Sequence, residues 1–407
     1  MMKDFTFQTP DWQPGLREQF PVTRTWAFFD SAYETGGADF LRSASEQYFT
    51  EKSDFYPGIP MKGGSGKGSA VRRIEETREL LADLVHAPDG HHVAFAANTC
   101  QAIVMALQNF PFGENDNVVV GDIEHVSVLY PVLSLKNRGV AVRLVHPENE
   151  WSLTAESLLR QVDEHTRFVV VSYVQSASGY RIDLKKLALE CHKRGCFVLT
   201  DAIQALGFTD VNMQKLGVDC LVGSGYKGLL SVEGGGFACF RDELLEKLSP
   251  YLPGPNPVLV LDRSTGSFHC TDERDARKLE VGTLPFHTIY CLNESLKQIQ
   301  RIGITAIADY VEQCFMVVYE SLTALGYQID TPLERHCHSM LVDTEDKERM
   351  AAFFQENGVF LNAGHGAHIR LAVAPFTSEE DIRRLLHVAK QWQLQEQVSK
   401  QLREEGK

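Results

Sequence analysis

The chain has 407 residues, with 40 Lys and Arg against 54 Asp and Glu, so its formal net charge is −14. Hydrophobic residues make up 43% and charged residues 23%, which excludes a disordered or fibrous chain. The acidic balance argues against a dedicated nucleic-acid binder, which needs a basic face. The length exceeds what one hydrophobic core usually holds and therefore predicts two domains.

Composition also predicts where the protein works. No stretch reaches the roughly 18–20 apolar residues that cross a bilayer, and the N-terminal residues lack the apolar region of a signal peptide. The nine cysteines form no C-x-x-C pair and lie mostly within apolar runs. This usage predicts reduced, core-filling thiols in a cytoplasmic protein without a membrane partner.

The predicted elements begin after an N-terminal arm, residues 1–25, which is polar and contains prolines. Strand patterns then alternate with helix patterns. Strands are predicted at 117–120, 167–174, 196–200, 220–223 and 236–240, and helices at 101–109, 154–164 and 184–194. The strands are apolar with little alternation, which is typical of strands buried on both faces. Their alternation with helices predicts a parallel α/β sheet.

After the α/β region the pattern changes to α+β, which indicates a smaller domain over residues 293–407. Within the α/β region, residues 264–275 are interpreted as a loop. In the smaller domain, helices are predicted at 292–325, broken near Gly303, and at 379–392, with short strands near 338–342, 359–361 and 369–373. The charged tail from Gln393 is interpreted as a fraying helix end.

A glycine-rich stretch at 63–69 resembles a nucleotide-binding loop but fails the test. A P-loop needs glycine where Met61 stands and Ser or Thr where Gly68 stands. The stretch is therefore interpreted as a flexible loop. Nearby Lys67 and Arg72 either hold a second acidic group of a substrate or are solvated.

Four short segments of the α/β region carry residues that fit one kind of chemistry. Thr99 opens a helix and is predicted to cap it, which makes the helix N-terminus an anion site. His125 follows Glu124 just past a strand, where an imidazole could lie over a planar ring. Asp201 and Lys227 end neighbouring strands at the carboxyl edge of the sheet, where α/β proteins collect ligands.

An aspartate and a lysine at neighbouring strand ends, beside an anion site, are what pyridoxal phosphate needs. The lysine forms a Schiff base with the aldehyde, and the carboxylate keeps the pyridine nitrogen protonated. Each residue alone is more often structural, since such an aspartate usually caps a helix and a lysine is usually solvated. The 26-residue separation of Asp201 and Lys227 matches one strand–helix–strand unit, so the full set predicts a pyridoxal-phosphate site.

The sequence resembles the class V aminotransferase and cysteine desulfurase group of fold-type I pyridoxal-phosphate enzymes. The resemblance runs from Phe28 to the region of Arg370. Its most specific motifs are Glu124-His125, Asp201 with Gln204, and Ser224-Gly225-Tyr226-Lys227. It implies an α/β fold: a large domain, residues 26–292, with a mainly parallel seven-stranded sheet flanked by helices, and a smaller α+β C-terminal domain.

The resemblance also implies roles for single residues in binding pyridoxal 5'-phosphate. Lys227 corresponds to the lysine that binds the aldehyde, Asp201 to the partner of the pyridine nitrogen, and His125 to the residue stacked on the ring. Gln204 corresponds to the residue that contacts the ring hydroxyl. The phosphate contacts implied are Thr99, the Cys100 amide, Ser224 and Tyr226. Tyr226 stands where many members have histidine, and a phenol donates the same hydrogen bond without a positive charge.

Three more residues complete the expected site. Thr283 matches a residue that enters the partner subunit's phosphate site, which implies a homodimer. Arg370 matches the arginine that binds the substrate α-carboxylate, a task that suits a guanidinium fork, with a surface ion pair as its alternative. His365 is expected near the substrate, where it could tune specificity or carry protons.

A metal site is not expected. Neighbouring residues on a strand point to opposite faces, so His336-Cys337-His338 cannot converge on one ion. His365 with His368 is two ligands short of a structural zinc site.

One departure from the family pattern bears on the reaction. Desulfurases carry a nucleophilic cysteine after a Gly-His pair, and here Ala367 stands at that position after Gly364-His365. None of the nine cysteines is near it in the sequence, although Cys270 could enter from the predicted loop or be a structural thiol. A persulfide-forming desulfuration is therefore not expected.

The sequence thus predicts a pyridoxal-phosphate enzyme that acts on an α-amino acid through an external aldimine. Amino transfer and β-elimination of the C–S lyase type are equally supported. A racemase or epimerase of the same family is the alternative among enzymes. A non-catalytic scaffold is the other alternative, but it predicts the loss of Lys227 or Asp201, and both are present.

Overall fold

The computed structural model describes residues 7–54, 69–147, 151–364 and 368–405. The strands are β1 Ala27–Phe28, β2 Val93–Ala96, β3 Asn117–Gly121, β4 Ala141–Val145, β5 Thr166–Ser172, β6 Phe197–Asp201, β7 Cys220–Ser224, β8 Gly236–Phe240, β9 Leu259–Asp262, β10 Ser267–Cys270, β11 Ser339–Asp343, β12 Val359–Phe360, β13 Asn362–Ala363 and β14 His368–Ala372. The α-helices are α1 Trp12–Glu18, α2 Asp39–Asp54, α3 Ser69–Val85, α4 Thr99–Gln108, α5 Val126–Ser134, α6 Ala155–Leu159, α7 Leu184–His192, α8 Met213–Leu216, α9 Asp242–Leu245, α10 Phe286–Ile302, α11 Ile304–Ala324, α12 Lys347–Glu356 and α13 Glu379–Glu405.

The centre of the fold is a seven-stranded sheet in the order β2-β8-β7-β6-β5-β3-β4. Five neighbouring strands, from β7 to β4, run parallel, and β8 is antiparallel to both β7 and β2. Its strands are apolar on both faces, because Val118 and Val120 enter one hydrophobic cluster while Val119 between them enters the other. The predicted fold class, a mainly parallel seven-stranded α/β sheet, is confirmed.

The strands predicted from residue 117 to 240 all form, shifted by a few residues at most, whereas other elements differ from the prediction. The sequence analysis missed the edge strand β4, because Arg143 interrupts its apolar pattern. The predicted loop 264–275 is wrong, since it contains β10, which pairs with β9 in an exposed hairpin. The helix predicted at 154–164 is only the short α6. The tail beyond Gln393 continues α13 instead of fraying.

The C-terminal part contains a second sheet of three antiparallel strands, β11-β14-β13. It is linked to the N-terminal residues, because β1 pairs with β12 and Asp30 bridges to Ala372. The predicted break at Gly303 separates α10 from α11, and α10 packs against α2 and α3. The division into domains after residue 292 stays a prediction, and this position falls within α10.

Two properties of the described ranges concern membranes and metals. No single helix there is long and apolar enough to cross a membrane, and α10 with α11 reaches the required length and hydropathy only as a pair bent by 80°. The same residues contain no group of three or more His, Cys, Asp or Glu side chains able to hold a metal ion.

Candidate active site

The carboxyl edge of the parallel strands brings the predicted residues together. β6 ends at Asp201 and β7 ends at Ser224, just before Lys227. β5, on the other side of β6, ends at Ser172, which pairs with Asp201 in register. Asp201 and Lys227 lie close enough to shift each other's pKa. The sheet therefore assembles an acid and an amine from separate parts of the chain.

A tight loop fixes the backbone of Lys227. The Thr35 hydroxyl and the Leu230 N–H both donate to the Lys227 carbonyl, each at 2.8 Å. The loop also packs backbone against backbone, since a Cβ on Gly207 would lie 1.9 Å from the Gly228 carbonyl oxygen. Glycine at 207, which also has a φ of +78°, is therefore required for the Lys227 loop to lie against the segment that follows β6.

The amine of Lys227 is prepared for nucleophilic attack. The residue is 7% exposed, and burial together with the nearby Arg370 charge lowers the pKa of Lys227 to about 8. Asp201 and Asp30 oppose this shift. An amine with this pKa is substantially neutral near physiological pH, which nucleophilic attack on a carbonyl requires.

Asp201 is buried at the floor of the same site. Burial raises the pKa of Asp201 to about 6, against the opposing effects of the Ile203 N–H and the Lys227 charge. The Ile203 N–H donates to Asp201 Oδ1 at 2.9 Å. The carboxylate is thus ionised at neutral pH and can accept a hydrogen bond from a protonated ring nitrogen.

Arg370 lies in the middle of β14 and is buried, so the alternative of a surface ion pair is wrong. Its Nη1 donates to the Ser176 carbonyl at 2.7 Å, and its Nη2 lies 3.9 Å from Asp30 Oδ1. Burial lowers the pKa of Arg370 although Asp30 opposes the shift. Because a guanidinium stays charged in proteins, it carries a positive charge into an apolar setting beside Lys227.

His125 lies at the start of α5, beside the carboxyl edge of the sheet. Its Nδ1 accepts a hydrogen bond from the Ser127 N–H at 3.1 Å, and the residue is exposed. The preceding residue, Glu124, is buried and accepts a hydrogen bond from the Ser172 N–H at 2.9 Å. The loop that carries His125 is therefore attached to the end of β5.

The anion site differs from the prediction by one residue. Asn98, not Thr99, caps α4, and its side chain accepts a hydrogen bond from the Gln101 N–H at 2.9 Å. Asn98 has the extended backbone of a cap, whereas Thr99 is already helical. Gly236 allows β8 to contact this turn, because a Cβ there would lie 2.5 Å from the Asn98 backbone. Ser224 pairs with Gly236 in register, so β7 also reaches the start of α4.

Two buried oxygen atoms show that the site fits a polar group. Within the described ranges, the Thr99 hydroxyl and the Gln204 Oε1 have no hydrogen-bond partner. The Gln204 Nε2 donates to the Ala32 carbonyl at 2.9 Å, which orients the amide. An unpartnered buried polar group costs about 1–3 kcal/mol. A bound ligand with a phosphate and a ring hydroxyl would supply the partners at the positions where the sequence predicts them.

Tyr226 and Cys100 adjoin these groups. Tyr226 is partly buried, its ring centroid lies 5.7 Å from Lys227 Nζ, and burial raises the pKa of its phenol. The phenol therefore stays protonated at neutral pH and can donate a hydrogen bond. Cys100 is the second residue of α4, so its amide lies in the first helical turn.

Two further predicted residues, Thr283 and Arg72, lie at the surface of the described ranges. Thr283 is exposed and follows Glu280, which is anchored by a 2.7 Å ion pair with the buried Arg78. Arg72 is exposed on α3. Outside the described residues fall His365, Ala367 and Lys67.

The sequence analysis missed several residues that the fold places at the site. Asp30 and Ser176 contact Arg370, and Ser176 does so through its carbonyl, for which no side-chain pattern exists. His338, considered only as a metal ligand, is fully buried and stacks on Phe208 with ring centroids 3.6 Å apart. Burial and the Arg370 and Lys227 charges hold the pKa of His338 well below its usual value.

Fold and site together define a class: this is a pyridoxal-phosphate-dependent enzyme of fold-type I. The sequence profile described as Aminotransferase class-V matches residues 49–385. The chain therefore belongs to the class V aminotransferase family. The resemblance stated from its motifs is confirmed, whereas the roles of the individual site residues stay predictions.

Relatives in this family carry several names. A probable cysteine desulfurase of Methanothermobacter thermautotrophicus is 30% identical over 301 residues, 72% of each chain. An uncharacterized aminotransferase of Schizosaccharomyces pombe is 27% identical over 78% of this chain and 82% of its own.

Solved structures share the fold at low identity. The apo cysteine desulfurase of Thermococcus onnurineus has a TM-score of 0.81 at 22% identity, covering 95% of this chain and 98% of its own. A complex of the cystine C–S lyase C-DES with its product cysteine persulfide has a TM-score of 0.80 at 19% identity, covering 91% and 99%. At these identities the likeness establishes the fold alone.

Proposed function

We propose that this enzyme uses pyridoxal phosphate at Lys227 to transform an α-amino acid, by amino transfer or by β-elimination, without forming a persulfide on a thiol of its own. The observation that carries the proposal is the buried Lys227 amine, which lies within electrostatic reach of both Asp201 and Arg370. Pyridoxal phosphate supplies an aldehyde for the amines and a ring that withdraws electrons from the substrate α-carbon.

The residues around Lys227 divide the work of holding the cofactor. Asp201 would hold a proton on the ring nitrogen, and His125 would cover the ring face. Gln204 Oε1 would bind the ring hydroxyl. Thr99, the Cys100 amide, Ser224 and Tyr226 would hold the phosphate at the N-terminus of α4. The helix N-terminus favours the negative charge of the phosphate through its dipole and N–H groups.

Arg370 binds the substrate carboxylate and thereby orients the α-carbon toward Lys227. Its guanidinium fork matches a carboxylate in two hydrogen bonds. With pyridoxal phosphate and an amino acid bound, the Lys227 amine would act as the general base that takes the substrate α-proton. Its lowered pKa matches this task near neutral pH.

The cysteines of this chain support a reaction without an enzyme persulfide. Cys337 is closer to the site than the sequence suggests, because its Sγ lies 3.8 Å from the Gln204 carbonyl. Burial raises the pKa of Cys337 to about 12, so it is a thiol rather than a thiolate. Cys270 lies in the exposed hairpin, and burial raises its pKa too. Although relatives are named cysteine desulfurases, a solved neighbour is named as a C–S lyase.

A homodimer is part of the proposal, with Thr283 reaching the partner's phosphate site. Thr283 is exposed, and so are the large apolar side chains of Tyr251, Leu252 and Val281 nearby, which line the same surface cavity. Exposed apolar residues of this size are typical of subunit contacts. A cytoplasmic location stays a prediction.

The first experiment tests cofactor attachment. The purified protein should absorb visible light after incubation with pyridoxal phosphate, and borohydride should fix the cofactor to Lys227. The variant Lys227→Ala should lose both signals, whereas Lys247→Ala, at an exposed lysine, should keep them. Labelling at another lysine, or a colourless wild-type protein, would favour the scaffold alternative.

The second experiment separates the reactions. The loaded enzyme is incubated with a panel of amino acids and scored for pyruvate with ammonia against pyridoxamine phosphate. Pyruvate and ammonia identify elimination, and pyridoxamine phosphate identifies amino transfer. Exchange of only the α-proton in heavy water would identify a racemase or epimerase instead. Transfer of sulfur to a cysteine of the protein, detected by mass, would contradict the proposal.

A further inference from the structure

Glu124 is a buried ionisable group that the proposed reaction does not use. Only 6% of the residue is exposed, although it lies in the loop between β3 and α5. Carboxylates are almost never buried to this extent unless they are paired. The contacts of Glu124 therefore need an explanation.

The hydrogen bonds described for the Glu124 carboxyl come from the end of β5. The Ser172 N–H donates to Glu124 Oε1 at 2.9 Å, and the Ser172 hydroxyl donates to Glu124 Oε2. Ser172 is also the register partner of Asp201 across β5 and β6. The carboxyls of Glu124 and Asp201 thus lie near the same point of the sheet edge, and both are buried.

We propose that Glu124 is a positioning residue: its carboxyl anchors the loop that carries His125, and its charge adds a second negative group beside Asp201. The inference rests on the proposed function, because it concerns the site that His125 and Asp201 are proposed to form for the cofactor ring. Glu124 touches neither ring nor substrate in this account and acts through these two neighbours.

The electrostatics agree with the geometry. Burial and, to a smaller extent, the Asp201 charge raise the pKa of Glu124 to about 7 against the opposing effect of the two Ser172 hydrogen bonds. Asp201, from β6, is the charged group that faces Glu124, and Ser172 faces it from β5. Near neutral pH a fraction of Glu124 is therefore ionised, and that fraction places extra negative charge at the ring-nitrogen end of the site.

Two substitutions separate anchoring from charge. Glu124→Gln keeps the acceptor oxygen for Ser172 but cannot ionise, whereas Glu124→Ala loses the anchor as well. The matched control is Asp122→Asn in the same loop, whose carboxyl contacts the exposed His146 instead of Asp201. The readouts are the dissociation constant of pyridoxal phosphate and the pH midpoint of the visible band of the bound cofactor.

The two readouts have distinct expected results. Removing a negative charge favours the deprotonated form of a nearby cation, so Glu124→Gln should lower the spectral midpoint by about 0.5 to 1 pH unit with a near-normal dissociation constant. Glu124→Ala should in addition weaken cofactor binding about tenfold. Asp122→Asn should change neither quantity.

An unchanged midpoint in a folded Glu124→Gln protein would overturn the inference on charge, and an unchanged dissociation constant in Glu124→Ala would overturn the anchoring. If Glu124→Gln does not fold, Ser172→Ala decides, because it removes a donor that stabilises ionised Glu124 and should lower the midpoint by a smaller amount. A midpoint equal to wild type in Ser172→Ala would then refute the charge effect. Failure of the proposed function is separate, since the wild-type protein would then not bind the cofactor at Lys227.

Discussion

Arg370 has an electrostatic effect on Lys227 that can be tested without any substrate. It contributes to the lowered pKa of Lys227, which is about 8 instead of its ordinary 10.5. With a pKa of about 8, about a quarter of the amine is neutral near pH 7.5, against about one in a thousand at the ordinary value. The structure thus predicts how the uptake of pyridoxal phosphate by the empty protein depends on pH.

Arg370→Gln should slow this uptake and move its pH dependence upward. Removing the nearby positive charge of Arg370 should raise the pKa of Lys227 by about 1 unit or more. About 3% of the Lys227 amine is then neutral near pH 7.5, so uptake should be about eightfold slower. Asp30, which raises the pKa of Lys227, loses its cationic partner and acts in the same direction. Arg370→Lys keeps the positive charge and is the control.

The assay is the growth of visible absorbance after apoprotein is mixed with pyridoxal phosphate across a pH series. The pH at half-maximal rate is the deciding quantity, because a general loss of affinity changes the amplitude and not this midpoint. A midpoint in Arg370→Gln equal to that of wild type would refute the electrostatic reasoning. An equal shift in Arg370→Lys would refute it as well.

Three further predictions concern stability and assembly. The pKa of Glu124 is raised from 4.5 to about 7 in the folded protein, so Glu124 ionises at lower pH in the unfolded state than in the folded state. As the pH rises from acidic to mildly alkaline, the wild-type apoprotein should therefore lose about 3 kcal/mol of stability relative to Glu124→Gln. Parallel curves in urea titrations over this pH range would contradict it. If Thr283 completes the site of the partner subunit, an equal mixture of Lys227→Ala and Thr283→Glu that is dissociated and reassembled should regain about a quarter of the wild-type sites, because about half of the dimers are mixed and each has one intact site. No gain over the separate variants would exclude a site shared between subunits. Arg78→Ala leaves the buried carboxylate of Glu280 without its ion-pair partner and should lower the free energy of unfolding in urea by about 3–5 kcal/mol. The double variant Arg78→Leu with Glu280→Leu should recover part of this loss.

The fold was largely predictable because burial on both faces imposes a continuous apolar pattern. Short runs of β-branched residues such as Val118-Val119-Val120 favour a buried strand over a helix. The failures are strands that do not satisfy this condition. β4 lies at the sheet edge and tolerates Arg143, and the β9–β10 hairpin is exposed, so neither carries a strong apolar signal.

The placement of the candidate residues was predictable where a distinctive side chain lies at or just after a strand end, as with Asp201 and Lys227. It was not predictable where the contact is local or uses the backbone. The cap of α4 was predicted at Thr99 but is Asn98, because both residue types cap well and only the backbone conformation distinguishes them. The Ser176 carbonyl has no signature in a sequence at all.

The seven-stranded sheet carries Asp201 and leads into Lys227, whereas Arg370 lies on the three-stranded sheet. In the proposed function, electron withdrawal and recognition of the amino acid would therefore belong to two separate sheets. Gly207 lets the Lys227 loop pack against the segment that follows β6, backbone against backbone. Under that proposal, substitutions in β11, β13 and β14 would change the amino acid that is bound and leave the backbone around Asp201 and Lys227 as it is.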